Sequence, residues 1–332
     1  GFIRDVLIAP KKRAIKTSRM KPVTRLMTVK PPTVIIDFKR AINLSILETI
    51  ILGGITFLYC LVEQKSSKLK GLQRENKVPT KKISTWKEWI PFSVLCFIVF
   101  VFFICPLGGI FVNAFSNKGK SFFTIFKMKS FLPSLKNTII TATSTGILST
   151  ILGFLYSLIL LFMNKVKSYR IKSLLSVFPM IQMCISSVIV GLVISSITKK
   201  GNIFSLIIAQ SFLYWPLSFR QINPILQKTA KKTLESAILL SKNKFDAIIR
   251  VLIPSSRQSI ITSFCFCFSI SAGDTTLPLV MSIPKYTSLS LFTYRLAGAY
   301  RFNEACASGI VLGTICIGTY LLGTIKKNNW RK

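Results

Sequence analysis

The acid at Asp274 stands inside an otherwise uncharged run, Gln258–Ile283. A carboxylate facing hydrocarbon there would cost about 2.5–3.5 kcal/mol, so it is expected to face the interior of a helix bundle or a wet path. Glu235 lies among Lys228, Lys231 and Lys232 in a basic segment, four residues after Lys231 and within reach of pairing with it. The 8 cysteines form no Cys-x-x-Cys pair and all sit in apolar runs, so they read as small buried side chains. Lys118-Gly119-Lys120-Ser121 has the ending of a phosphate loop, but the glycine required five positions before Gly119 is Ala114. The chain contains no histidine, which removes His-based triads, imidazole acid–base chemistry and most metal sites at once. No catalytic residue, cofactor or metal site is expected.

The elements that must position these residues are dictated by composition. Of 332 residues 50% are hydrophobic, with mean hydropathy +0.53 and 26 phenylalanines. Uncharged runs cover Pro91–Asn117, Asn137–Asn164, Ser173–Thr198, Gly201–Phe219 and Ala305–Ile325. Two more, Ala41–Val62 with Glu48 and Gln258–Ile283 with Asp274, carry one acid each. Each approaches or exceeds the roughly 20 residues needed to cross about 30 Å of hydrocarbon. Runs of this length must satisfy their own backbone, so they are helices and not barrel strands. The expected fold is all-α and integral to the membrane, with a six-span core (90–325) preceded by one extra transmembrane helix (34–63).

Charge orients the spans. The net charge is +35, from 45 Lys and Arg against 10 Asp and Glu. Eight cations fall in 63–90, four in 165–172, eight in 220–257 and four after Ile325, whereas the alternate loops carry five, two and three. Cations are retained on the cytoplasmic side, which places linker 64–89, loop 220–257 and tail 326–332 inside the cell. The charge therefore serves the bilayer, and no nucleic-acid partner is expected. The basic stretch 1–33 does not fit this alternation, has no apolar core of a secretory signal, and is left unassigned.

Segment 220–257 reads as two short helices. Leu226, Ala230, Leu234, Ala237 and Ile238 share one face; Ser241-Lys242-Asn243 makes a break; Phe245, Ile248, Ile249 and Leu252 form a second apolar stripe that stops at Pro254. Such a stripe on the cytoplasmic side needs a partner. In this segment Glu235-Ser236-Ala237, then Ser241, then Val251-Leu252-Ile253-Pro254 resembles the EAA loop of ATP-binding-cassette importer permeases: Glu-Ala-Ala, three residues, Gly, nine residues, Ile-x-Leu-Pro. The spacing matches throughout, with Ser236, Ser241, Val251 and Ile253 departing in type. The resemblance implies that Glu235, Ser236, Ala237, Ser241, Phe245, Ile248, Ile249, Leu252 and Pro254 couple the chain to a cytoplasmic ATPase dimer. Gly273-Asp274, Thr287-Ser288-Leu289 and Tyr294-Arg295-x-x-Gly298 further resemble the second half of fused permeases for ferric iron or thiamine, and Asp37–Val62 resembles the last span of their first half.

That likeness implies an extracytoplasmic substrate-binding protein, a second permease half and membrane lipid as partners. It also implies an inner-membrane location, ATP hydrolysis on a separate subunit, and a chain that lacks most of a first half. Asp274 would then be a translocation-pathway residue. Two other readings stand beside it: an ion-coupled secondary transporter that uses Asp274 as its titrating group, and an incomplete, non-transporting remnant.

Overall fold

The computed structural model describes residues 43–44, 46–56, 58, 86–116, 119–163, 169–198, 201–240 and 248–325, and these are helical apart from short connections, with no strand among them. A short apolar helix α1 covers Ile46–Thr56; apart from residues 43–44 and 58, the rest of the extra span expected over 34–63 lies outside the described residues. Then come α2 (Trp86–Val99), a π-helical stretch (Phe100–Ile104), α3 (Cys105–Phe115), α4 (Lys120–Lys127), α5 (Phe131–Phe162), α6 (Tyr169–Gln182), α7 (Ser187–Thr198) and α8 (Ile203–Leu240). A second π-helical stretch (Ile248–Leu252) leads into α9 (Ile253–Gly273), followed by α10 (Thr276–Met281), α11 (Leu289–Gly298) and α12 (Phe302–Ile325).

The bundle is inside-out relative to a water-soluble one. Phe102, Phe103, Ile151, Leu155, Phe204 and Leu322 are exposed, while the buried face of α5 is built from Ser134, Thr138, Thr141, Thr145, Gly146, Ser149, Gly153 and Ser157. Between lipid and helix there is nothing to gain from burying one more leucine. Small residues therefore take the interface, because they let backbones approach and dispersion contacts accumulate. At Gly153 an added Cβ would fall 2.6 Å from the Ser218 Cβ and 2.7 Å from the Phe219 nitrogen, so α5 and α8 touch there backbone to backbone.

Contact registers fix the direction of each helix. Thr145 meets Gln210, Gly153 meets Ser218 and Leu161 clusters with Leu226, a constant offset of 65, so α5 and α8 run parallel. Helix α9 runs against both: Phe264 lies at Gly146 and Phe268 at Ala142, while Cys267 meets Ser218 and Ser271 meets Gln210. Helix α12 runs against α9, through Gln258 with Gly323 and Ser269 with Cys316. Parallel α5 and α8 require that the chain between them cross once. The pair α6–α7 is bent by 84°, yet together it is therefore a single broken span and not a re-entrant loop.

Among the described residues three helices qualify as spans by length and hydropathy, Trp89–Phe115, Phe131–Phe162 and Phe302–Thr324, and the bent pair adds a fourth. Helices α8 and α9 fall short in hydropathy because their inner faces carry Gln210, Ser211, Ser218, Ser256, Ser259, Ser263 and Ser271. Since they lie alongside α5, they traverse the same depth and complete a six-span core.

Three expected boundaries are corrected. Ser173–Thr198 is two helices broken at Met183–Ser186. Gly201–Phe219 does not end at Arg220 but continues unbroken to Leu240. Gln258–Ile283 stops at Gly273, where the chain turns extended at Asp274 before the short α10.

Prolines account for much of this geometry. A proline ring displaces the carbonyl four residues earlier and supplies no N–H to it. The carbonyl that Pro179 releases, at Leu175, accepts from the Tyr156 hydroxyl at 2.7 Å. The one that Pro216 releases, at Phe212, accepts from Gln182 Nε2 at 2.7 Å. Pro278, in the first turn of α10, releases none; the Asp274 carbonyl just ahead of that helix accepts from the Ser290 hydroxyl at 2.8 Å. Pro106 and Pro254 follow the two π-helical stretches, whose wider winding makes room for the ring.

A double-mutant cycle in detergent checks this assignment. Tyr156→Phe should lower stability by about 1–3 kcal/mol, the cost of a buried carbonyl left unpaired. In a Pro179→Ala background the alanine restores a backbone N–H that can reach the Leu175 carbonyl, and the same change should cost clearly less. Equal costs in both backgrounds would refute the pairing.

Candidate functional site

Two regions hold the residues singled out from sequence, and α8 and α9 run from one to the other. At one end, Glu235, Ser236 and Ala237 occupy the last turns of α8. Ser241 and Phe245 lie outside the described residues. On the returning arm the apolar stripe divides. Leu252 is fully buried against Leu161 of α5 and Leu226 of α8, with Ile248 packed on the same cluster. Ile249 points away and is 62% exposed. Pro254 does not stop a helix, as the sequence suggested. It lies within a helical path that is continuous from Ile248 to Gly273, just after the π-helical stretch whose wider winding makes room for its ring.

Asp274 lies towards the other end, and it is half-buried. Its Oδ1 accepts from the backbone N–H of Thr276 at 2.9 Å and of Leu277 at 3.4 Å, which caps α10. Its Oδ2 accepts from Gln210 Nε2 at 3.2 Å, and Tyr214 stands against the same carboxylate. Gln210, 2% exposed, is the centre of the arrangement. Its Oε1 accepts from Thr145 of α5 at 3.1 Å and from Ser271 of α9 at 2.8 Å. One side chain thus joins α5, α8, α9 and the start of α10.

Further polar links continue away from Asp274. Thr141 and Tyr286 share a hydrogen bond at 3.1 Å, Asn137 Nδ2 donates to the Thr287 carbonyl at 3.2 Å, and Arg295 reaches the Thr287 hydroxyl at 3.4 Å. Among the described residues no group of three or more His, Cys, Asp or Glu stands in metal-binding array.

Sequence reasoning found Asp274 through its charge but missed Gln210, Thr145, Ser271 and Tyr286. The available signal was a lone glutamine within an uncharged run: an amide in hydrocarbon needs partners almost as much as a carboxylate does.

The chain matches the family model described as binding-protein-dependent transport system inner membrane component over residues 159–325. It belongs to that family. The matched stretch takes in α8, the returning arm, Gln210 and Asp274, and with its apolar helices it makes the chain a multi-pass inner-membrane permease of the ATP-binding-cassette importer type. Similar proteins include the sulfate transport system permease protein CysT of Synechocystis sp., 20% identical over 262 residues, 72% of this chain and 90% of that one. Sulfate permease 2, chloroplastic, of Chlamydomonas reinhardtii is 21% identical over 278 residues, 78% of this chain and 74% of its own. A Haemophilus influenzae protein named as a ferric transport system permease is 22% identical over 227 residues, 60% of this chain but 35% of its own length. Among solved structures, the bacterial ABC transporter that imports the acidic polysaccharide alginate superposes with a TM-score of 0.53 at 17% identity, covering 74% of this chain and 97% of that one. That likeness bears on fold alone.

The divided stripe makes a direct prediction for this permease. Leu252→Ala should cost about 2–5 kcal/mol through the cavity left beside Leu161 and Leu226, whereas Ile249→Ala should stay within about 0.5 kcal/mol. Denaturation midpoints in detergent read both, and comparable losses would mean that the arm packs otherwise.

Proposed function

We propose that this chain is the membrane-spanning subunit of an ATP-driven, binding-protein-dependent importer, and that segment 220–257 receives the force of ATP hydrolysis from a separate cytoplasmic ATPase dimer. The observation that supports it most is continuity. Helix α8 carries Gln210 near one end and Glu235–Ala237 near the other without interruption, and the returning arm enters α9, which leads to Asp274, without a stop at Pro254. At 1.5 Å per residue the distance along α8 from Gln210 to Glu235 is about 38 Å. A push at the cytoplasmic end therefore reaches the polar core through two helices, held against α5 by Leu252 and Gly153.

In this reading Glu235, Ser236, Ala237, Ser241, Phe245 and the exposed Ile249 meet the ATPase. Ile248 and Leu252 tie the arm to the bundle, and Pro254 sets the start of α9. A substrate-binding protein delivers cargo at the opposite face; the alginate transporter has been crystallised in complex with its pentasaccharide-bound periplasmic protein. A second permease subunit completes the path. Alternating access moves the bundle between inward and outward states. Family membership favours this reading over an ion-coupled carrier and gives no support to a non-transporting remnant.

For cargo we put forward an inorganic ion. The relatives are named for sulfate and for ferric transport, which keeps ferric iron in play and adds sulfate, while thiamine has no counterpart among them.

The decisive experiment replaces Glu235→Arg together with Phe245→Asp. Co-purification of the ATPase and ATP-driven uptake should both be lost, with the isolated chain still folded. Retention of both would contradict the proposal, and uptake that survives ATP depletion but collapses with the proton gradient would favour the ion-coupled carrier.

A further inference from the structure

A groove of about 500 Å³ runs between α5 and α8. Its walls are hydrocarbon: Leu148, Leu152, Leu155 and Ile159 on α5, and Ile208 and Phe212 on α8. Apart from Leu148, which is half-buried, these side chains are exposed, so the groove is open to the surroundings of the bundle. At 100° per residue, Ile208, Phe212 and Trp215 share a face of α8 that points away from Gln210. Tyr156 and Trp215 also border the groove, their rings 5.0 Å apart, and Tyr156 gives its hydroxyl to the Leu175 carbonyl. Ser211 borders it too, with its hydroxyl fully buried. The lining therefore offers shape and dispersion contact, and almost nothing to a polar solute.

Depth narrows the choice of occupant. The α5 wall starts at Leu148, midway along a helix of 32 residues, and ends at Ile159, just before the last residue Phe162. That stretch rises about 16 Å, which is about half of a 30 Å hydrocarbon core. The groove thus has the length of one leaflet, and it lies in the leaflet on the side where the sequence gathers four cations over 165–172.

Charge narrows it further. Arg220 is exposed on α8, shortly after Trp215, and the constant offset of 65 between the parallel helices sets it level with Leu155. The sequence has no Asp or Glu between Glu88 and Glu235, so α5, α6 and α7 supply no carboxylate to neutralise it. An apolar slot one leaflet deep, with an arginine near its mouth, is complementary to a lipid whose headgroup is negative.

We infer that the groove between α5 and α8 is a binding site for an anionic phospholipid of the cytoplasmic leaflet, with one acyl chain along Leu148–Ile159 and the headgroup phosphate at Arg220. The site goes beyond the importer reading: it depends on the orientation of the bundle in the bilayer, and not on cargo or ATPase. The acyl chain fills the space beside the close approach of Gly153 to Ser218, and so lies against both helices where they meet. A zwitterionic lipid fills the same hydrocarbon volume but gains little from Arg220.

The test uses the full chain in bilayer nanodiscs, with Trp86, Trp89 and Trp330 changed to Phe so that Trp215 is the sole fluorescent indole. Phosphatidylglycerol or phosphatidylcholine, brominated in the distal half of one acyl chain, replaces unlabelled phosphatidylcholine stepwise. Brominated phosphatidylglycerol should half-quench Trp215 at about one fifth of the mole fraction that brominated phosphatidylcholine needs, the preference expected from one cation beside a headgroup. Arg220→Gln should abolish that preference and leave quenching by phosphatidylcholine unchanged. Salt at about 1 M, where the screening length falls to about 3 Å, should weaken the preference in the chain that keeps Arg220. Equal half-quenching fractions for the two lipids at low salt would reduce the groove to ordinary lipid contact and overturn the site. Quenching by neither lipid would mean that protein, such as a second copy of this chain, covers the groove, and would overturn it as well. Failure of an assembled importer to take up cargo on ATP would count against the importer reading and leave these curves as they are.

Discussion

Inside a bilayer no water is available to take up a backbone group that its own helix has released. The permease meets this constraint by letting one helix satisfy another. Pro179 and Pro216 each free a carbonyl, and Tyr156 and Gln182, from a different element in each case, donate to it. The prolines that would weaken an isolated helix thereby become points of attachment between helices. At Pro106 and Pro254 the winding relaxes to π just ahead of the ring and the helical path survives.

From that constraint follows the mechanical character of the bundle. Helix α8 contains Pro216 and Pro224 yet runs 38 residues without interruption, because the carbonyl opposite Pro216 is held by Gln182 and the flank at Ser218 is pressed against Gly153. Small residues on α5 permit the approach, and hydroxyls on the same face supply the bonds that give it direction. The result is one continuous helix beside a polar seam.

The sequence made the spans readable because hydrocarbon imposes a length and an absence of charge, and because cations betray the cytoplasmic loops. It was misleading wherever local rules were overridden by neighbours. Pro254 read as a helix stop and Arg220 as a span end, since neither the π stretch nor the support of α5 shows in the local pattern. The break after Gln182 falls at Met183–Ser186, without a glycine to announce it. Asp274 was conspicuous as a charge, but its cap on α10 and its bond to Gln210 depend on which helices meet, and apolar periodicity does not say that. For Ser241 and Phe245 the sequence pattern remains the sole guide.

If 220–257 is the ATPase-facing segment proposed above, α8 must move as one body between that segment and the polar seam. Spin labels at Phe204 and Lys228, both exposed on this helix, stand about 36 Å apart if it is straight. Pulsed dipolar spectroscopy on the assembled importer should find that distance the same without nucleotide and with ATP bound, while the distance from Lys228 to a label at Tyr320 on α12 changes. A change within the Phe204–Lys228 pair would show that the helix bends at Pro216 or Pro224, and that force applied at one end never arrives intact at Gln210.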